Sequence, residues 1–286
     1  MNIASAMPVL TAADDFQPFA LVDGDPAAGV LVVCDHADNR LPPEYGDLGL
    51  PAAEFRRHIA YDPGAAAVAS GLARRLGVPA VLSTFSRLLI DPNRGEDDPT
   101  LIMRLSDGAV IPGNAAVDAR ERARRIDRYH APYHAAIDAA IERALAAGRP
   151  PAIVSIHSFT PVWRGTLRPW QAGVLWDSDP RIAEPLIAAL RAAGDLTVGD
   201  NEPYSGALAN DCMYRHGSRR GLAHALVEIR QDLIGEPDGA EAWAGRLAGI
   251  VADLNRLAGV HEVRHYGSRA GGLAAGGGDQ RQGAMR

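Results

Sequence analysis

The chain has 286 residues, 47% of them hydrophobic and 22% charged, enough to bury one large core. A net charge of -6 and a pI near 5.8 exclude nucleic-acid backbones as the main partner, because that binding needs a basic footprint. Two cysteines, Cys34 and Cys212, cannot build a disulfide framework, and no segment reaches the roughly 18 uninterrupted apolar residues of a membrane span.

The amino-terminal stretch MNIASAMPVLTAADDF lacks a basic region followed by a long apolar run, so a soluble cytoplasmic protein is expected. Strands and helices then alternate. GVLVVCDH is a near-continuous apolar run, the pattern of a strand covered on both faces, and AAAVASGLARRLG follows at helical periodicity with Gly77 as its stop. PAVLSTFSRLLIDPN supplies one strand, or two with a bend. The longest helical pattern runs from about Ala116 to Ala147, with Pro132 kinking or breaking it. AIVSIHS, AGVLWD and AHALVEIRQD are further buried strands, and RIAEPLIAALRAAG is a helix between two of them. This order implies an α/β three-layer sandwich around a mixed central sheet, in a single domain over 1–266. The Gly- and Arg-rich residues 267–286 have no apolar period and are expected to be a disordered tail.

In open α/β sheets, ligands collect beyond the carboxyl ends of the strands. Four expected strand ends carry polar clusters: His36 after LVVCD; Asp91, Asn93 and Arg94 after RLLI; His157 and Ser158 after IVSI; and Glu228 with Arg230 in ALVEIRQD. Two histidines, a glutamate and an arginine at one sheet edge suit a metal-assisted hydrolytic site. Neutral imidazole is a good zinc ligand, and a catalytic zinc takes three protein ligands while leaving a position open, so His36 and His157 are the first two ligands. Glu228 is the acid placed to move a proton from water to a leaving nitrogen, with Arg230 orienting it or touching substrate. Arg94, with Asn93 beside it, offers a planar fork for a substrate carboxylate. Each residue also has a purely structural reading; Glu228, for instance, can simply pair with Arg230.

Other chemistries are poorly served. There is no G-x-x-x-x-G-K-[ST] loop and no G-x-S-x-G elbow. Ser158 is a poor nucleophile for its neighbour His157, because adjacent strand side chains face opposite ways. His130 and His134 share a helix face, but Ala131 stands where an H-E-x-x-H motif needs glutamate, so a supporting role is expected, with His134 bracing a ligand or carboxylate. His216 and His224 are expected to be structural, and Trp163 and Trp170 to be packing residues.

Over about Val30 to Ile250 the segments HIAYDPGAAAVASGLARRLGVPAVLSTFSRLLIDPNRGEDDPTLI, SDGAVIPGN, SIHSFTPVWRG, RPWQAGVLWDSDPRIAEPLIAALR, VGDNEPYSG and HALVEIRQDLI resemble the N-formylglutamate amidohydrolase family. The resemblance implies a zinc-exopeptidase-like fold and hydrolysis of N-formylglutamate to formate and glutamate, as in bacterial histidine degradation. A fainter likeness reaches the zinc carboxypeptidases. There SIHSF is similar to the second histidine strand, IDPNRG to the carboxylate-gripping Asn-Arg pair, VEIRQD to the strand of the catalytic glutamate, and PYSG to a tyrosine loop that puts Tyr204 near substrate.

One position departs from that pattern. Carboxypeptidases and aspartoacylases use H-x-x-E for two zinc ligands, and here the fourth residue of HADN is Asn39, an uncharged and poorer zinc ligand. Asp62 in AYDPG is the substitute third ligand, and Asp38 the other choice. Asp62 equally suits a helix N-cap, with Pro63 at the first helical position. His58 is an unassigned neighbour of the site. The expected cofactor is Zn2+ or another divalent metal, and the expected partner is a small-molecule substrate. The alternatives are a hydrolase of another N-acyl amino acid or peptide, or a non-catalytic protein that binds acidic amino-acid derivatives, for which Asn39 is the sequence support.

Overall fold

The structure, a computed structural model, describes residues 16–270. Its elements in chain order are β1 (Phe19–Val22), β2 (Val30–Cys34), α1 (Ala65–Leu76), β3 (Ala80–Ser83), β4 (Leu105–Ser106), β5 (Ala109–Val110), α2 (Ala119–Arg125), α3 (Ala131–Ala146), β6 (Ala152–Phe159), β7 (Val162–Trp163), β8 (Thr166–Leu167), β9 (Ala172–Leu175), α4 (Pro180–Ala192), β10 (Val198–Asp200), α5 (Cys212–His216), β11 (His224–Arg230) and α6 (Pro237–Leu254). Seven strands make one mixed sheet in the order β1-β3-β2-β6-β11-β9-β10. The central four, β3, β2, β6 and β11, are parallel. At one edge β1 runs antiparallel to β3; at the other, β9 and β10 run together, antiparallel to β11. The pairs β4/β5 and β7/β8 are separate small hairpins.

Strand alternation divides the core between the two faces of the sheet. Val30, Val32 and Cys34 of β2 pack with Val68 and Leu72 of α1, Leu186 of α4 and Leu247 of α6. Leu31 and Val33 point the other way, toward Ile137 and Ile141 of α3 and Met213 of α5. Helices thus cover both faces, which explains why the central strands read as unbroken apolar runs. Cys34 and Cys212 are free and buried.

Helix ends follow local chemistry. Gly77 closes α1 in the left-handed conformation (φ 65°). The Asp118 side chain accepts from the Glu121 N–H at the start of α2, and Asp179 accepts from the Arg181 N–H at the start of α4, where Pro180 is the first helical residue. The expected long helix is realised as α2, one π turn at Ile126–His130, and α3. Pro132 lies in the first turn of α3, where the wider turn before it accommodates the missing N–H and the ring.

Two expectations are corrected. In PAVLSTFSRLLIDPN only Ala80–Ser83 is a strand, and RLLI is a buried turn. Phe85, Leu89 and Ile90 enter the core beside α3, while Leu88 enters a separate cluster with Leu48 and Ile111, so the segment must turn to send its side chains apart. The side chain of Asp62 does not cap α1, whose N-cap is Gly64. Residues 271–286 of the expected tail lie outside the described residues. Just before them, the Arg269 backbone N–H donates to Asp177 at 2.8 Å. Among the described residues no helix is long and apolar enough to cross a membrane.

Candidate active site

Parallel strands place β2, β6 and β11 with their carboxyl ends along one edge. The chain leaves β2 through Asp35 and His36. His157 on β6 is in register with Glu228 on β11, so imidazole and carboxyl stand side by side on the sheet face that carries α3. Opposite Glu228 on β9 is Gly173. Any side chain there would collide with the Glu202 carbonyl, so this glycine lets the loop bearing Tyr204 close over the sheet.

Asp62 completes the group. Its backbone N–H donates to the His36 carbonyl at 2.9 Å, which docks the residue onto the end of β2. Asp62 Oδ2 then lies 2.9 Å from His157 Nδ1 and 3.4 Å from His36 Nδ1, and accepts from the Ser158 N–H at 3.2 Å. Donor atoms of His36, Asp62 and His157 all lie within 4.8 Å of one another, and all three residues are buried.

The far nitrogens are held by two more acids. His36 Nε2 donates to Asp91 at 2.7 Å, and His157 Nε2 donates to Asp35 at 3.0 Å. A carboxylate on the outer nitrogen fixes the ring and raises the basicity of the inner one, the usual support of a metal-bound histidine. Asp91 is held in turn by Arg87 at 2.6 Å and by the Asn93 N–H at 3.0 Å. Asp35 accepts from Tyr133 at 2.8 Å and from Ser155 at 3.2 Å.

The charges follow from these contacts. Burial alone would raise the pKa of Asp62, but His36 and His157 outweigh it and hold the group well below the usual carboxylate range. Burial opposes charge on His157 as well, and its hydrogen bonds to Asp35 and Asp62 raise its pKa well above the ordinary value. Glu228 has no such support. Burial, reinforced by the charge of Asp62 and opposed by His157, pushes it up to about 7. Its Oε2 is hidden with no hydrogen-bond partner among the described residues, as is Oδ1 of Asn93. Both acceptors adjoin the histidine-carboxylate cluster, and buried polar atoms without a partner call for an explanation.

The remaining expected residues are distributed as follows. Arg94 is partly exposed, with only long contacts to Asp91 (3.9 Å) and Asp98 (3.7 Å). Tyr204 accepts from Arg168 at 3.1 Å. Arg230 bonds Asp232 at 2.8 Å and reaches the carbonyls of Arg168 and Trp170 at 3.4 Å, with no bond to Glu228. Asp38 pairs with Arg40 at 2.7 Å. Asn39 donates to the Phe55 carbonyl at 2.6 Å, away from the two histidines. His58 packs edge-on against Trp163, with Asp107 at 3.5 Å. His134 belongs to a second cluster with Cys212 and His216.

Sequence reasoning placed Asp91 at a strand end without a role, and it passed over Asp35, Arg87 and Arg168. The acid adjacent to His36 at the end of its strand was the available signal for Asp35, whereas Arg87 was read as part of an apolar strand and Arg168 sits in a loop segment with no readable period.

The model of the N-formylglutamate amidohydrolase family matches residues 28–235, a span that contains every group above. No curated protein matches the chain at a significant level. A solved structure of a gene product from Agrobacterium tumefaciens is 36% identical, with a TM-score of 0.79 over 85% of this chain and 96% of the other. The fold also matches that of the N-formylglutamate amidohydrolase from Ralstonia eutropha JMP134, at 24% identity and a TM-score of 0.64 over 83% of this chain and 97% of the other. With the family model spanning most of its length, the chain is a hydrolase of an amide bond and belongs to the N-formylglutamate amidohydrolase family.

Proposed function

We propose that the chain is a metal-dependent amidohydrolase with a zinc-exopeptidase-like site, acting on a small N-acylated acidic amino acid, with N-formylglutamate the leading substrate. The observation that carries this reading is the convergence of His36 Nδ1 and His157 Nδ1 on one oxygen of Asp62 while Asp91 and Asp35 hold their outer nitrogens. Two imidazoles and a carboxylate are a donor set that suits zinc. His36, Asp62 and His157 would hold the ion, which when bound polarises a carbonyl and lowers the pKa of water to about 7.

The chain's own groups account for the rest. Glu228, raised to about 7 and lacking a partner, takes the proton of the attacking water and returns it to the leaving nitrogen. Asn93 and Arg94 grip a substrate carboxylate, and the weak ion pairs of Arg94 leave its fork available. Tyr204, on a loop whose approach Gly173 permits, closes the mouth. Arg230, bound to Asp232 and to two carbonyls, steadies the strand that carries Glu228. The case for a binding protein without catalysis rested on Asn39, and Asp62 supplies the acid that Asn39 lacks.

Elemental analysis together with formate release from N-formylglutamate, before and after chelation and zinc return, tests the proposal. About one metal per chain with chelator-sensitive release is expected. Full release from a chelated, metal-free protein would overturn the metal assignment, and bound metal with no release would move the substrate to another acyl amino acid.

A further inference from the structure

Arg168 follows the β7/β8 hairpin and leads toward β9. Its side chain is nearly buried, with 8% exposure for the residue. Three rings surround the guanidinium, those of Tyr204 at 5.1 Å, Trp163 at 5.3 Å and Phe159 at 5.6 Å. Its hydrogen bonds are few. Nη1 donates to the Tyr204 hydroxyl at 3.1 Å and makes long contacts of 3.4 Å with the carbonyl and hydroxyl of Thr160.

Among the described residues Arg168 has no carboxylate partner. The other arginines hidden to this degree each have one: Arg125 bonds Glu121 at 2.8 Å, and Arg181 bonds Asp179 at 2.6 Å. A guanidinium taken out of water without an anion is costly, and aromatic faces offset only part of that cost. The cage lies beside the candidate active site. Phe159 is two residues beyond His157 on the same face of β6, and the Tyr204 hydroxyl lies in the field of Glu228 and Asp62. Tyr204 is 44% exposed, so one wall of the cage around Arg168 lies at the protein surface.

Charge balance points the same way. Asp35, Asp62, Asp91 and Glu228 crowd the floor of the site, and Arg87 is already bound to Asp91. A ligand with two carboxylates needs more positive charge than Arg94 alone supplies.

We propose that Arg168, caged by Phe159, Trp163 and Tyr204, is the receptor for a second carboxylate, so that the site selects dicarboxylic ligands by holding one acid group at Asn93 and Arg94 and the other at Arg168. The proposal rests on the amidohydrolase reading only in placing both receptors around one ligand, and it is tested without turnover.

The measurement is calorimetric binding of glutarate and of its monoamide, glutaramate, to the full-length protein and to Arg168→Met and Arg168→Lys. The wild type is expected to prefer glutarate at least tenfold. Arg168→Met should bind both ligands alike, with thermal unfolding checking that it folds, and Arg168→Lys should keep part of the preference. In turnover, Arg168→Met should lower kcat/KM for N-formylglutamate on the order of a hundredfold and change that for N-formylglutamine less than threefold. An unchanged preference in Arg168→Met, or no preference in the wild type, would overturn the proposal; if Arg168→Met fails to fold, a reduced or lost preference in folded Arg168→Lys supports the proposal and full retention with unchanged affinity overturns it. Preferential glutarate binding without any formate release would sink the substrate reading and leave the second receptor standing.

Discussion

His36, Asp62 and His157 form one buried group with donor atoms within 4.8 Å of one another; His134, Cys212 and His216 form another. They differ in what occupies the ring nitrogens. In the first, each Nε2 is given to its own acid, leaving both Nδ1 atoms facing the same Asp62 oxygen. In the second, His134 Nδ1 and His216 Nε2 face each other at 2.8 Å, and His216 Nδ1 is held by Asp138 at 3.2 Å. The Cys212 thiol leans on Asp35, and burial pushes its pKa well up, away from the thiolate a metal prefers. Burial, followed by repulsion from His130 and His216, holds the pKa of His134 well below the ordinary value. A neutral ring can accept from one neighbour and donate to the next, so this cluster satisfies itself. Proximity of ligating residues is common to both groups; in the first the outer nitrogens are tethered to acids and the inner ones face a single carboxylate oxygen, whereas in the second the two histidines face each other.

The brace still serves the site. His130, which touches His134 at 3.3 Å, also reaches the Arg94 carbonyl at 2.9 Å, and so anchors the loop that presents Asn93 and Arg94.

The largest effect expected is that His157→Ala abolishes both metal content and formate release, whereas Cys212→Ser keeps one metal per chain. Elemental analysis of the two variants decides it, and the reverse pattern would exchange the roles of the clusters. Next comes Glu228→Gln, which should keep its metal and lose on the order of 10²- to 10⁴-fold in kcat, the range for a general acid-base group. With Glu228 at about 7, the wild-type rate should fall as pH drops below that value and the carboxylate takes up a proton. A pH-rate profile of the Gln variant that kept the same limb would assign it to another group.

Asp91→Asn probes the outer tether. It should weaken metal affinity or activity roughly 10- to 100-fold, the cost of losing such a carboxylate, and competition with a chelator of known strength reads it. His216→Asn is expected to act on stability alone, costing about 1–3 kcal/mol because His134 Nδ1 is left buried without its partner. Urea unfolding measures this, and a loss of metal in His216→Asn would make the brace a second site.

How much of this was legible depended on distance along the chain. Strands β2, β6 and β11 announced themselves as apolar runs because both faces of the sheet are covered, and His36, His157 and Glu228 came with them. RLLI carried the same signal without being a strand, since a buried turn and a buried strand need the same side chains. Asp62 was visible as an acid in a helix-start motif, but its partners are 26 and 95 residues away, and no local rule separates a cap from a ligand. Arg168 was still less legible, because what marks it is a missing partner, which only the folded chain can show.

Asn39 gives the smallest effect. It occupies the place of the second ligand in H-x-x-E, so a sequence argument expects Asn39→Glu to tighten metal binding. In the folded chain the Asn39 amide donates to the Phe55 carbonyl at 2.6 Å, and the carboxylate that faces both histidines is that of Asp62, docked on the His36 carbonyl. A glutamate at this position would set an acceptor against an acceptor. Asn39→Glu should therefore leave metal affinity unchanged within about threefold and cost roughly 1 kcal/mol of stability, near one hydrogen bond, lowering Tm by about 2 °C for a chain of this size. A tenfold gain in metal affinity would show that the loop can swing the side chain inward, and that the acid at Asp62 is one of two routes to the same three-ligand site.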